Sequence, residues 1–311
     1  NVTVTASTAI VPFTDNGTLV AKVSDGMNTV SSSYTVIVIE FVTDKLMPTV
    51  VTSGEGLYID SYDNNRYVYR GEKPDNYIVF NNELWRIMAL EADGSLKITS
   101  DNSAGADAFD SADSRPTASN TYCTMPAYGC NVWNAISGNY TNGSYTGTVT
   151  KDATLNTYLN TNYYSALDET AKGYIQSHNF YTGPVNADMN VVTIIANEQK
   201  LSWQGNIGLM TLSDYIKASL NTQCSSSITM NTNNSSNYPC KDKNYLQRDV
   251  YQWTITPTTD NPRWVIRVND VGEIIDVSAR SNPLYFYPVV FLKSDIKLSG
   301  AGTETVPYQI H

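Results

Sequence analysis

Two turn signals twelve residues apart constrain this chain more than anything else in it. Asn81-Asn82 and Asp93-Gly94 each sit between runs of strand-forming residues, and two-residue loops of this kind favour tight β-hairpins. Together they predict a three-stranded meander over 76–80, 83–91 and 95–99. The turns also set the register. With Asn81-Asn82 as the loop, Ile78 faces Trp85 and Phe80 faces Glu83. With Asp93-Gly94 as the next loop, Ala89 faces Ile98 and Glu91 faces Leu96. One face then carries Ile78, Phe80, Trp85, Ile87, Ala89, Leu96 and Ile98, a set that a one-residue slip would scatter over both faces.

The rest of the chain alternates between strand and helix periods. Leu155, Tyr158, Leu159 and Asn162 follow Asp152, an N-cap candidate. Leu167, Ala171, Tyr174, Ile175 and His178 fall at helical spacing. Thr211 and Asp214 form a capping-box variant ahead of Leu212, Tyr215, Ile216 and Leu220. The run 190–196 reads as a buried strand, and four more strands follow over 253–255, 263–268, 273–277 and 286–292. Strands, then helices, then strands predict an α+β fold. Residues 43–53 read as a linker between two units, 1–43 and 54–311.

The first unit reads as three strands: Val2, Val4 and Ala6 alternating with threonines, then 18–24, then 31–41 after Asp25-Gly26. The segment NGTLVAKVSDGMNTVSSSYTVIVIE (16–40) resembles the closing strands of bacterial immunoglobulin-like repeats. A complete sandwich of that type needs about 100 residues, so three readings are open: the chain begins inside a domain, another copy supplies the missing strands, or these strands pack on the second unit as an added sheet.

Four cysteines stand in two close pairs, Cys123 with Cys130 and Cys224 with Cys240. Such pairs read as two local disulfides, which belong to an oxidising compartment. Free thiols are the alternative. Zinc fits poorly, because neither pair has CxxC spacing and His178 and His311 are the only imidazoles. Lys and Arg number 20 against 30 Asp and Glu, a net charge of −10. That balance opposes nucleic-acid binding, which relies on cations neutralising phosphates, and docking on anionic lipid. Charged residues are only 16% of the chain and tyrosine supplies 22 positions. The resulting neutral, polar, aromatic surface suits an extracellular or cell-surface setting with no membrane insertion.

The core, 56–310, resembles an uncharacterised family of secreted and surface proteins from Gram-positive-type bacteria. The resemblance rests on YVYRGEKPDNYIVFNNELWRIMALEADGSLKI (67–98), TLNTYLNTNYYSAL (154–167), WQGNIGLMTLSDYIKAS (203–219), QWTITP (252–257) and YPVVFLKSDIKLSGAGTETVPYQI (287–310). It implies a C-type-lectin-like, formylglycine-enzyme-like core and a surface location, and no particular chemistry. The calcium-dependent sugar triplets of that lectin class, Glu-Pro-Asn or Gln-Pro-Asp with Trp-Asn-Asp, do not occur. Val268-Asn269-Asp270 reads instead as a hairpin turn.

Catalytic signals are sparse. No GxSxG, HExxH or glycine-rich phosphate loop is present, and His178 reads as a core histidine on an apolar helix face. Asp168-Glu169 suit the start of a helix. Asp101, Asp107, Asp110 and Asp113 cluster in an oxygen-rich loop and make Asp101, Asp107 and Asp110 the candidates for calcium, though the EF-hand spacing is missing. Otherwise no cofactor is expected. Aromatic residues in loops are the main binding resource, since tyrosine and tryptophan stack on sugars or anchor protein contacts. Tyr128, Trp133, Tyr140, Tyr145 and Tyr285 are the candidates, with Tyr122 and Tyr287 beside them. The expected function is a non-enzymatic adhesive or ligand-binding module whose partner is a protein or glycan on another surface. The alternatives are a filament subunit assembled through 1–43 and a hydrolase using Asp107 and Asp110.

Overall fold

A computed structural model describes residues 16–24, 26–111, 115, 129–142, 145–186, 188–226, 238–259, 261–280 and 283–311. For 137–142, 145–148, 225 and 226 it describes the backbone alone. The expected strand at Val2, Val4 and Ala6 lies outside these residues. The fold is α+β, with antiparallel and mixed sheets and short helices.

The predicted meander is the centre of the larger sheet. Asn81 and Asn82 both take positive φ, 52° and 60°, the requirement of a type I′ hairpin. Tyr77–Phe80 therefore pairs with Glu83–Leu90 as expected, Ile78 opposite Trp85 and Phe80 opposite Glu83. Past Ile87 the register departs from expectation. Ile87 faces Ile98, but Ala89 faces Lys97 and Leu90 faces Leu96. Met88 is the extra residue of a β-bulge, which shifts the alternation by one. Leu90 replaces Ala89 as the residue that continues the apolar core.

Leu96–Ser100 pairs in turn with Val289–Leu292, where Ile98 faces Val290. The sheet continues to Ile175–Gln176 on that side. On the other it runs through Tyr308–Ile310, parallel to Tyr77–Phe80, and Lys297–Ser299 to Glu40–Phe41. Ile207–Gly208 also joins Val289–Leu292, and Asp63–Arg70 joins the meander and carries Gly56–Asp60 beside it. A second sheet orders Ile274–Ser278, Trp264–Val268, Gln252–Pro257, Leu284–Tyr285 and Ala106–Asp107.

A continuous path of rings crosses between the two sheets. Trp253 of the second sheet meets Phe109, which meets Trp133, with centroids 5.8 and 5.4 Å apart. Trp133 meets Trp203 at 6.0 Å, Trp203 meets Phe180 at 5.7 Å, and Phe180 meets Phe291 of the larger sheet at 5.1 Å. Tilted and edge-on aromatic pairs of this spacing each add about 0.5–1.5 kcal/mol beyond their buried area.

Several helices differ from expectation. Val42–Leu46 is helical, and Val42 and Leu46 are fully buried in the core, so the stretch read as a linker packs on the sheet. Thr154–Tyr158 begins at Ala153; Asp152 instead accepts the Ala135 N–H at 2.7 Å. A π-helical turn follows over Leu159–Tyr163. It lets the Asn160 amide bond both the N–H and the C=O of Ile207, at 3.1 and 2.8 Å. Glu169–Tyr174 is capped by Asp168, as the acidic pair implied, but ends at Tyr174. Ile175 then enters the larger sheet and His178 lies on a separate strand, His178–Tyr181. The apolar run 190–196, expected as a strand, belongs to helix Val191–Glu198. Asn190 caps it by accepting from the Thr193 N–H at 3.0 Å. Its buried stripe is Val191, Ile194, Ile195 and Glu198, so capping and packing override β-branched propensity.

Cys224 and Cys240 form the expected disulfide, joining Thr222–Ser226 to the turn Pro239–Lys241. Cys130 is disulfide-bonded as well; its expected partner Cys123 lies outside the described residues. Replacing Cys224 and Cys240 together with serine is expected to lower stability by about 3 kcal/mol, from the entropy of a loop this long. Urea denaturation in the absence of reductant measures it.

Candidate functional site

The face of the meander opposite the apolar set carries charged and polar side chains, which ordinarily favour water. Instead Arg86, Lys97 and Thr99 are all buried. Strands carry two faces, and here both are covered, so charged side chains on the second face need partners inside the protein. Arg86 donates through Nε to Asn76 Oδ1 at 2.7 Å, and its guanidinium stacks 3.7 Å from the Tyr77 ring. Lys97 is met by helix Leu212–Ala218. That helix begins with the predicted capping box: Thr211 accepts from the Asp214 N–H and Asp214 accepts from the Thr211 N–H. The same Asp214 carboxylate takes Lys97 Nζ on Oδ2 at 2.5 Å and faces Arg66 from Oδ1 at 3.5 Å.

Arg66 extends the network. Its guanidinium reaches Glu91 at 2.8 Å and Asp60 at 2.9 Å, and Asp60 also takes Lys217 at 2.7 Å. Lys217 stands one turn beyond Asp214 on the same helix. Three cations and three carboxylates thus neutralise one another under that helix. Burial pushes the Asp214 carboxyl up, but Lys97 and Arg66 outweigh it and hold the group far below the usual carboxylate range. Burial likewise opposes Asp60, and Lys217 and Arg66 bring it down.

Glu198 enters from the neighbouring helix. Its Oε1 accepts from the Thr256 hydroxyl at 2.7 Å and the Ser213 N–H at 3.3 Å. Its Oε2 is buried without a hydrogen-bond partner in the protein. Burial raises its pKa to about 7, against the hydrogen bonds from Ser213 and Thr256. Glu198, Asp214, Lys97 and Arg66 line one cleft of about 80 Å³. His178 stands in its wall, stacked on Phe291 with ring centroids 3.9 Å apart and Nε2 3.5 Å from Asp93. The histidine is therefore a cleft residue on a strand, not a core residue on a helix. One carboxylate kept ionised beside one poised near neutrality is a pairing that suits proton exchange. The Ser213 hydroxyl is engaged with Thr211 at 3.0 Å. A wider depression of about 270 Å³ lies near the Asn81-Asn82 turn, where Asn81 Oδ1 accepts the Asp168 N–H at 2.9 Å.

The residues singled out from sequence lie elsewhere. Trp133 is 1% exposed and part of the aromatic path, which corrects its reading as a loop stacking platform. Tyr285 is 40% exposed on Leu284–Tyr285. Tyr140 and Tyr145 lie on the paired strands Ile136–Asn142 and Tyr145–Val149, Tyr140 opposite Gly147 and Tyr145 opposite Asn142, with their side chains outside the description. Tyr128, Tyr122 and Asp113 lie outside the described residues. The three calcium candidates have separate partners. Asp110 is fully buried against Arg115 at 3.0 Å and accepts the Cys130 N–H at 2.8 Å. Asp101 faces Arg248 at 3.3 Å and Arg86 at 3.7 Å. Asp107 accepts the N–H of Ala108 at 2.7 Å and is exposed. Among the described residues no group of three or more His, Cys, Asp or Glu side chains is placed to hold a metal ion.

Sequence reasoning missed Lys97, Arg66, Asp214 and Glu198 as a group. The available signal was a charge at an apolar period: Glu198 sits seven residues after Val191 on one helical stripe. No protein-family profile, curated protein or solved structure matches this chain.

Two stability effects follow. Glu198 titrates at about 7 in the folded protein against an ordinary 4.5. Between those values the unfolded chain loses a proton that the folded chain keeps, so stability falls as pH rises from about 4.5 to 7. The gap corresponds to roughly 3 kcal/mol. Glu198→Gln removes that slope and leaves the variant more stable than the parent at pH 8, as urea melts at pH 5 and pH 8 would show. Asp214→Asn strips Lys97 and Arg66 of a buried partner, an expected loss of about 3–5 kcal/mol, measured by the same melts at pH 7.

Proposed function

We propose that this chain is a non-catalytic extracellular module that works by surface contact with a protein or glycan partner. The observation that carries this reading is the hairpin of Gly17–Ser24 and Thr29–Val36. None of its residues is buried. Leu19 lies opposite Tyr34 and Val23 opposite Val30, so these four side chains share one face. Val23 is 61% and Val30 71% exposed. The exposed apolar series continues through Ile37, Ile39 and Phe41. A concentration of this kind on a surface is characteristic of an interaction site.

Three further features agree. The disulfide Cys224–Cys240 fits an oxidising compartment. No helix among the described residues is long and apolar enough to cross a membrane. The charged cleft offers about 80 Å³, against roughly 300–1,000 Å³ for pockets that enclose organic ligands. Its strongest acid, Asp214, is occupied by two cations, which favours a binding role over hydrolysis. The resemblance to secreted, lectin-like surface proteins points the same way.

A filament subunit is the second reading, favoured by one detail of the same hairpin. Among the described residues its two strands pair only with each other, and open strand edges accept strands from other chains.

Glycan arrays and immobilised matrix proteins test the first reading, with the double variant Leu19→Ser, Val30→Ser as control. We expect at least about a tenfold loss of binding in the variant with an unchanged melting temperature, because exposed substitutions shift stability by only about 0.5 kcal/mol. Silence on both supports, or binding indifferent to the double variant, would count against it. Light scattering and electron microscopy of the same samples distinguish the filament: concentration-dependent polymers lost in the variant support it, and a strict monomer excludes it.

A further inference from the structure

The buried cleft has a property that the exposed hairpin does not use. Glu198 is 1% exposed, yet its Oε2 has no donor from the protein. A buried carboxylate oxygen left without a donor costs free energy comparable to a lost hydrogen bond or more. Glu198 belongs to the cleft wall, and a guest that enters the cleft and shifts the side chains covering Oε2 can supply the donor. The charges of the wall bear on which guest. Asp63, Glu91, Glu198 and Asp214 stand against Arg66, Lys97 and Lys217. With Glu198 ionised, four carboxylates face three cations, and the balance favours one more positive charge.

Aromatic rings complete the wall: Tyr62, Phe180, Tyr181 and Phe291. Ring faces attract cations electrostatically. Size sets the last limit. The cleft's volume of about 80 Å³ equals two to three waters at roughly 30 Å³ each. An ammonium head with its first methylenes fits there and a sugar ring does not. We propose that this cleft is a binding site for an alkylammonium group, with Glu198 Oε2 as its hydrogen-bond acceptor. The group can come from a small free amine or from the lysine side chain of a bound protein. The site is independent of the hairpin, so either can fail without the other.

The charged groups facing Glu198 predict the direction of its pH dependence. Asp214 and Lys217 face it from helix Leu212–Ala218, Lys97 from Leu96–Ser100, Arg66 and Asp63 from Asp63–Arg70, Glu91 from the end of Glu83–Leu90, and His178 from His178–Tyr181. Asp214 and Asp60 are held ionised by their cations, which leaves Glu198, raised to about 7 by burial, as the acid that changes state near neutrality. Its ionised form is the one that accepts an ammonium. Affinity then scales with the ionised fraction, which falls about 30-fold from pH 8 to pH 5.5 for a group titrating near 7.

Calorimetry or NMR titration of the intact chain tests this with methylammonium chloride, Nα-acetyl-lysine amide and, as the anion control, sodium acetate at matched ionic strength. We expect both ammonium probes to bind at pH 8, to weaken about 30-fold at pH 5.5, and to weaken at least about tenfold in Glu198→Gln, a variant that keeps the fold by its melting curve. Tighter binding of the lysine amide assigns a protein side chain as the source; tighter binding of methylammonium assigns a free amine. No ammonium binding, acetate binding as tight as ammonium, or affinity unchanged by both pH and Glu198→Gln would overturn the proposal. The pH series on the parent protein decides the matter even if the variant fails to fold.

Discussion

Charge burial is the constraint on which the rest of this structure depends. Lys97 lies on the second face of the central meander, and a helix covers that face. A lone ammonium there would be prohibitive, because the loss of hydration costs several kcal/mol even after relaxation. The chain meets this by converging five segments on one network: Lys97 with Asp214, Asp214 with Arg66, Arg66 with Glu91 and Asp60, and Asp60 with Lys217. Arg66 is the junction, since its planar fork can meet several carboxylates at once. The position of helix Leu212–Ala218 follows, because Asp214 and Lys217 must both reach into that network from one side.

The face that carries Lys97 also has an aromatic organising feature, since Phe291 lies directly opposite Lys97. The rings from Trp253 through Phe109, Trp133, Trp203 and Phe180 to Phe291 join the two sheets by contact alone. His178 stacks on Phe291 at the end of that path. The histidine thus lies where the aromatic core meets the charged cleft. This placement explains why Trp133, which looks like a loop aromatic in the sequence, is structural, and why both charged side chains and rings line the cleft.

Two scales of contact emerge. The hairpin offers a broad apolar face suited to a macromolecule, and the cleft offers a confined, polar space suited to a single functional group. A module with both would combine area with a specific chemical check, since interfaces draw affinity from packed apolar anchors and selectivity from matched polar groups.

Short-range chemistry was legible in the sequence. The paired asparagines determined the first hairpin and its register, because positive φ at both turn positions leaves few alternatives. Thr211 and Asp214 determined a helix start, Asp168 another, and Cys224 and Cys240 a bridge, each through groups close along the chain. The tertiary structure alone decided where those elements meet. The bulge at Met88 undid the register expected for Ala89, packing turned a β-branched run into helix Val191–Glu198, and the sheet's return at Ile175 drew His178 off its helix. Lys97 and Asp214, 117 positions apart, carry no local mark of their pairing. Dihedral preferences and caps act over a few residues, whereas the cost of a buried charge is set by whatever the folded chain brings beside it.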